Sequence, residues 1–178
     1  MRFTMNRLMT VAVVGLMAVS LAQATSTDPN TLTPLEHQVR HEILMLPYYN
    51  VFDNITFQVT GSQVTLAGQV TWPVLKSEAG NVVKMIPGVT KVDNKIEVLP
   101  LSPFDNSIRF RVYRAVYFNP VLSKYALNPI APIRIIVKNG HVTLDGVVNT
   151  EMAKNIAFIK ANGVPGVFSV TNNLRVVS

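Results

Sequence analysis

Apolar residues recur every three or four positions through Leu35, Val39, Ile43 and Leu46, which places one face of an α-helix against a core. Past Pro47 to Asn54 the rhythm shortens, and Ile55 to Thr60 and Gln63 to Thr71 predict two strands. Gly61-Ser62 between them suits a type II′ hairpin, with glycine at the position that needs positive φ. A second helix is predicted over Val74 to Ile86, stopped by Pro87-Gly88. A last strand then carries Val92, Ile96 and Val98.

The same order returns. Ile108, Val112, Ala115 and Val116 mark a helix, and Ile133 to Lys138 with His141 to Val148 mark two strands around Asn139-Gly140, a type I′ pair. Thr150 to Asn162 reads as a helix before Pro165-Gly166, and Val170, Leu174 and Val176 as the closing strand. Val64-Thr65-Leu66-Ala67-Gly68 and Val142-Thr143-Leu144-Asp145-Gly146 stand at the same offset as Pro87-Gly88-Val89 and Pro165-Gly166-Val167, so the chain is a tandem repeat of one unit. The units are αββαβ modules over residues 34–99 and 104–178, joined by a stiff linker, 100–103, with two prolines. They differ most after the first helix, where copy two has the longer, proline-containing loop Asn119 to Pro132.

The G-x-V-x-L-x-G pattern of Gly140 to Gly146, and Pro-Gly-Val followed by Val-x-Asn-x-Leu-x-Val in Pro165 to Val176, resemble BON domains, a family named for bacterial osmotically inducible and nodulation proteins. Copy one fits with one extra residue after Gly61 and with Ile96 in place of the leucine. The resemblance implies an α+β fold in which each module is a three-stranded mixed sheet backed by two helices. It also implies a bacterial envelope location and a non-catalytic role in binding phospholipid or preserving the envelope under osmotic stress. It implies no cofactor and carries over no catalytic residue.

The N-terminus agrees with an envelope location. Arg2 and Arg7 precede an apolar run, Leu8 to Leu21, that ends at Ala22-Gln23-Ala24, the order of a secretory signal peptide over residues 1–24. The run falls short of the roughly 20 residues that span a bilayer, so a retained anchor is the weaker alternative. The expected destination is the periplasm. Cysteine is absent, which excludes disulfides, thiol nucleophiles and a lipid-accepting cysteine at the cleavage point.

Charge separates the copies. Residues 25–100 hold five basic and seven acidic side chains, whereas residues 101–178 hold nine and three, so an acidic partner is drawn to copy two. Export argues against that partner being nucleic acid. In the copy-two helix, opposite the aliphatic arc, Phe110, Tyr113 and Tyr117 form a second stripe with Arg109, Arg111, Arg114 and Phe118 around it. Copy one has His37, Gln38, His41 and Glu42 on the corresponding side. The stripe is therefore the candidate surface for anionic phospholipid or, alternatively, for another envelope protein. The competing expectation is that its aromatics pack against copy one or under the Asn119 to Pro132 loop.

Other constellations carry less. His37 and His41 are spaced to share a metal, but no HExxH order or third ligand accompanies them, and they read as a solvated face. Asp145 and Glu151 have nothing to place them in one cleft for acid–base work. Serine never falls in a G-x-S-x-G turn, and Trp72, before Pro73, reads as a staple or core anchor. Modules this small bury modest cores, so the two copies are expected to pack together. Expressed separately, each half should melt below the intact protein in a calorimetric scan; halves that match it would show the copies to be independent.

Overall fold

Thr33 opens the first helix with a capping box: its hydroxyl accepts from the Glu36 N–H at 3.3 Å while the Glu36 carboxylate accepts from the Thr33 N–H at 2.7 Å. Helix α1 runs over Pro34–Leu44, α2 over Pro73–Lys84 and α3 over Pro103–Tyr117, each with proline in its first turn, where the missing N–H costs nothing. Helix α4, Glu151–Asn162, is capped instead by the Thr150 hydroxyl. The computed structural model describes residues 32–177, so the expected signal peptide, residues 1–24, lies outside the described residues.

In the first module β1 (Asn54–Thr60) pairs antiparallel with β2 (Gln63–Val70). The returning chain then lies parallel to β2 in two short pieces, β3 (Lys91–Asn94) and β4 (Glu97–Val98). The expected third strand is thus broken, giving four strands in three ranks. In the second module β5 (Ile133–Lys138) is antiparallel to β6 (His141–Val148), and β7 (Ser169–Val176) is parallel to β6 without a break. Both sheets are mixed, and the fold is α+β.

The repeat holds at the level of single bonds. Asn94 donates to the Lys76 carbonyl at 2.7 Å and accepts from Ile96 N–H, and Asn172 donates to the Lys154 carbonyl at 3.1 Å and accepts from Leu174 N–H. Each asparagine ties the last strand to the second helix of its own module. The hairpins also follow their sequences: Gly61 has φ 62°, while Asn139 and Gly140 have 53° and 78°, as a type I′ turn needs.

Each module has its own core. Val39, Ile43, Leu66, Leu75 and Ile96 anchor the first, and Ile108, Val112, Ile135, Leu144 and Leu174 the second. Pro100 to Ser102 joins them, and Ser102 already serves α3, accepting from the Asp105 N–H at 3.1 Å. The two modules pack together. The Val51 carbonyl accepts from the Ile135 N–H at 2.9 Å and the Asn50 carbonyl from the Arg134 guanidinium at 2.8 Å, while Arg134 lies 4.6 Å from the Tyr49 ring centre. Lys138 pairs with Glu97, and that hydrogen bond, with a second from Gln69, holds the Glu97 carboxyl below its usual range.

Glycines test the packing at its tightest point. Gly146, at φ 122°, has the Pro132 carbonyl oxygen 2.0 Å from where a Cβ would sit, whereas Gly61 has open space around it. Gly146→Ala should lower unfolding free energy by about 3 kcal/mol or more, combining backbone strain with a clash. Gly61→Ala should cost about 1–2 kcal/mol, from backbone conformation alone. Urea denaturation of the two variants checks the order.

Candidate functional site

Strand β5 leads the second sheet, with β6 beside it and no ladder partner on its other side. Its outward N–H and C=O groups must be satisfied by other means. Helix α3 supplies partners for three of them. The Tyr117 hydroxyl donates to the Ile133 carbonyl at 2.6 Å and accepts from the Ile133 N–H at 3.2 Å. The Arg109 Nη2 donates to the Val137 carbonyl at 2.8 Å, and Val51 of the first module serves Ile135 between them. Asp105, fully buried in the first turn of α3, accepts from the Asn139 and Gly140 N–H groups at 2.8 Å each and fixes the helix to the hairpin.

Arg109 and Tyr117, expected on the binding surface, are therefore interior groups, 5% and 3% exposed. The reason is the strand edge: two side chains of the helix, long and polar-tipped, reach backbone groups that nothing else satisfies. Burial lowers the Arg109 pKa against the opposing fields of Asp105 and Asp53, and pushes Tyr117 up to about 12. The Arg109 Nε is buried without a partner.

The other predicted residues divide further. Tyr113 is half-buried, 5.0 Å from the Tyr117 ring and 6.2 Å from Phe52 of the first module. Phe110 touches the same Phe52 edge-on at 5.3 Å but stays half in water. Phe118 is 76% exposed, Arg114 is exposed and Arg111 intermediate, with its Nε donating to the Ser107 carbonyl at 3.2 Å. At about 100° per residue, Phe110, Arg114, Phe118 and Arg111 occupy one arc roughly 100° wide, clear of the core arc. Within the stripe Arg109, Tyr113 and Tyr117 turn inward, and Phe110, Arg111, Arg114 and Phe118 form a mixed aromatic and cationic strip.

The loop after α3 is ordered around Leu122 and Tyr125, both buried in the second core, with a short 3₁₀ turn at Ser123–Leu127. The Tyr125 hydroxyl accepts from the Asn149 N–H at 2.9 Å. Trp72 stands at the N-cap of α2 without a side-chain capping bond and is 57% exposed, so it is not a core anchor. His37 and His41 are exposed, and among the described residues no three His, Cys, Asp or Glu side chains gather in a metal-holding group. The Asp145 carboxylate accepts from the Gly146 N–H at 2.9 Å, a contact between neighbours within β6. Among the described residues no helix is long and apolar enough to cross a membrane.

The family model of the BON domain matches residues 32–100 and again residues 105–178. The chain belongs to the BON domain family. BON domains are as a kind non-catalytic and associated with membrane- or envelope-related roles. No curated protein matches the chain. Two solved structures of CdsD, a structural protein of the type III secretion system of Chlamydia trachomatis, are similar to it. Its C-terminal domain is 16% identical, with 83% of this chain and 99% of that chain covered at a TM-score of 0.28. The second is 17% identical, with 82% and 93% covered and a TM-score of 0.29.

The buried phenol gives this BON tandem an alkaline signature. A folded-state pKa raised to about 12 means Tyr117 stabilises the fold fully below the unfolded value near 10 and loses that contribution as pH rises through 12. Tyr117→Phe should lower stability at neutral pH by about 1–3 kcal/mol, since both Ile133 groups lose their partner. It should also flatten the alkaline decline, as read by denaturant unfolding across the pH series.

Proposed function

We propose that the chain is an exported envelope protein whose second BON module lays the exposed arc of α3 on an anionic phospholipid surface, supporting envelope integrity under osmotic stress without catalysis. The observation that supports this most is the grouping of Phe110, Arg111, Arg114 and Phe118 on one solvent-facing strip after the inward-turned residues are removed. Aromatic rings seat among headgroups, and guanidinium groups bind phosphate with paired donors.

Magnitudes favour reversible contact. Two arginines at about 1 kcal/mol each, with partial burial of two rings, give weak association, so firm attachment needs several copies or a second contact. The first module positions the strip. Its Phe52 holds Phe110 from behind, and its backbone completes the β5 edge.

Co-sedimentation with vesicles is the direct measurement. The protein should pellet with phosphatidylglycerol or cardiolipin vesicles and stay in solution with phosphatidylcholine. Arg111→Glu combined with Arg114→Glu should abolish pelleting, and Phe118→Ser should weaken it by about tenfold. Equal failure to bind either kind of vesicle would rule the reading out.

A further inference from the structure

A cavity of about 620 Å³ lies where the modules meet, within the range of roughly 300–1,000 Å³ typical of small-molecule sites. Its walls come from the connecting segment after α1, the start of α2, the linker and the first turns of α3. Most of the lining is apolar: Phe52, Trp72, Leu99, Leu101 and Phe110 among others. Three of these stand open to water, with Leu101 92%, Trp72 57% and Phe110 53% exposed. Large apolar side chains gathered around a concave site and left wet gain free energy when an apolar body covers them.

One charged side chain lines the cavity, and it is Arg109. No carboxylate lines it. Arg109 is more than nine-tenths buried, its Nη2 is committed to Val137, and its Nε has no partner. The ion pairs among the described residues are Lys95–Asp93 and Lys138–Glu97, so Arg109 stands outside both. The two nearest carboxylates are otherwise engaged: Asp53 accepts from Asn50 and Thr71, and Asp105 from Asn139 and Gly140. Their fields oppose an anion, so any preference for one must come from direct contact with the guanidinium.

We infer that this junction cavity binds a single molecule of a single-chain amphiphile with an anionic head, its chain over Trp72, Leu101 and Phe110 and its head at Arg109. The site borders the α3 strip and shares only Phe110 with it. Arg114 and Phe118, which carry the surface reading, do not line it. It would hold one lipid-like molecule between the modules and not a bilayer.

Trp72 is the sole tryptophan of the chain and lines the cavity, so its fluorescence reports occupancy directly. Dodecanoate and dodecyl phosphate are titrated below their micelle concentrations into the intact protein without vesicles, with dodecyltrimethylammonium as the cationic control. We expect a saturable change in emission for the anions, with affinity about tenfold above that of the cation. The tighter anion names the head group. Arg109→Met should erase the preference for anions. Because that change also strips Val137 of its donor, Asn106→Asp is the second variant: an exposed cavity-lining residue in the first turns of α3, where an acidic side chain suits the helix. Asn106→Asp should weaken the anions by a similar factor and leave the cation unchanged or tighter. No saturable change, equal affinity for anions and cation, or an undiminished anion response in Asn106→Asp overturns the assignment, whatever the vesicle experiment shows.

Discussion

Strand β5 needs a second side. Its ladder to β6 satisfies one row of backbone groups, and the other row faces away from the sheet. Bare, that row would be a template for another chain. It is covered at three successive outward residues: Ile133 by the Tyr117 hydroxyl, Ile135 by the Val51 carbonyl and Val137 by Arg109. Two of the three covers come from α3 and one from the first module. The position of α3, the seating of the modules and the burial of every residue from Ile133 to Val137 all follow from closing that edge.

Helix α3 consequently has three kinds of side chain where an ordinary amphipathic helix has two. Ile108, Val112 and Val116 face the core, Arg109 and Tyr117 reach the strand edge, and Phe110, Arg111, Arg114 and Phe118 remain toward solvent. The first module has no comparable helix, since α1 buries Val39 and Ile43 and keeps histidines outside. Duplication supplied two similar scaffolds. The differences lie in the first helix, in the loop that follows it and in the last strand, broken only in the first module.

The αββαβ order, the hairpin types and the repeat register were legible because period, turn glycines and the constant offset all pointed the same way. The interior roles of Arg109 and Tyr117 were not. Periodicity sorts residues into core and surface, but a polar-tipped side chain on the boundary between them serves whichever backbone group lies nearby, and that group belongs to a strand many residues away. A usable hint was angular for Arg109 alone, which sits on the flank of the aliphatic arc, whereas Tyr117 lies on its far side. The junction cavity was illegible for a related reason, because its walls are assembled from three separate stretches of chain. Trp72 illustrates this, since a residue before a helix-starting proline looks like a staple until the linker is seen passing beside it.

The bond from Arg134 to the Asn50 carbonyl spans 84 residues of sequence, and the neighbouring bond to Val51 spans as many. On a ribosome, residues 50–52 therefore emerge well before the strand that will engage them. Until Ile133 to Lys138 appears, the first module carries carbonyls solvated by water and a Phe52 ring with neither of its later neighbours. The seam between the modules is thus a late event in the life of each molecule. For that interval the first half of the chain must rely on its own small core.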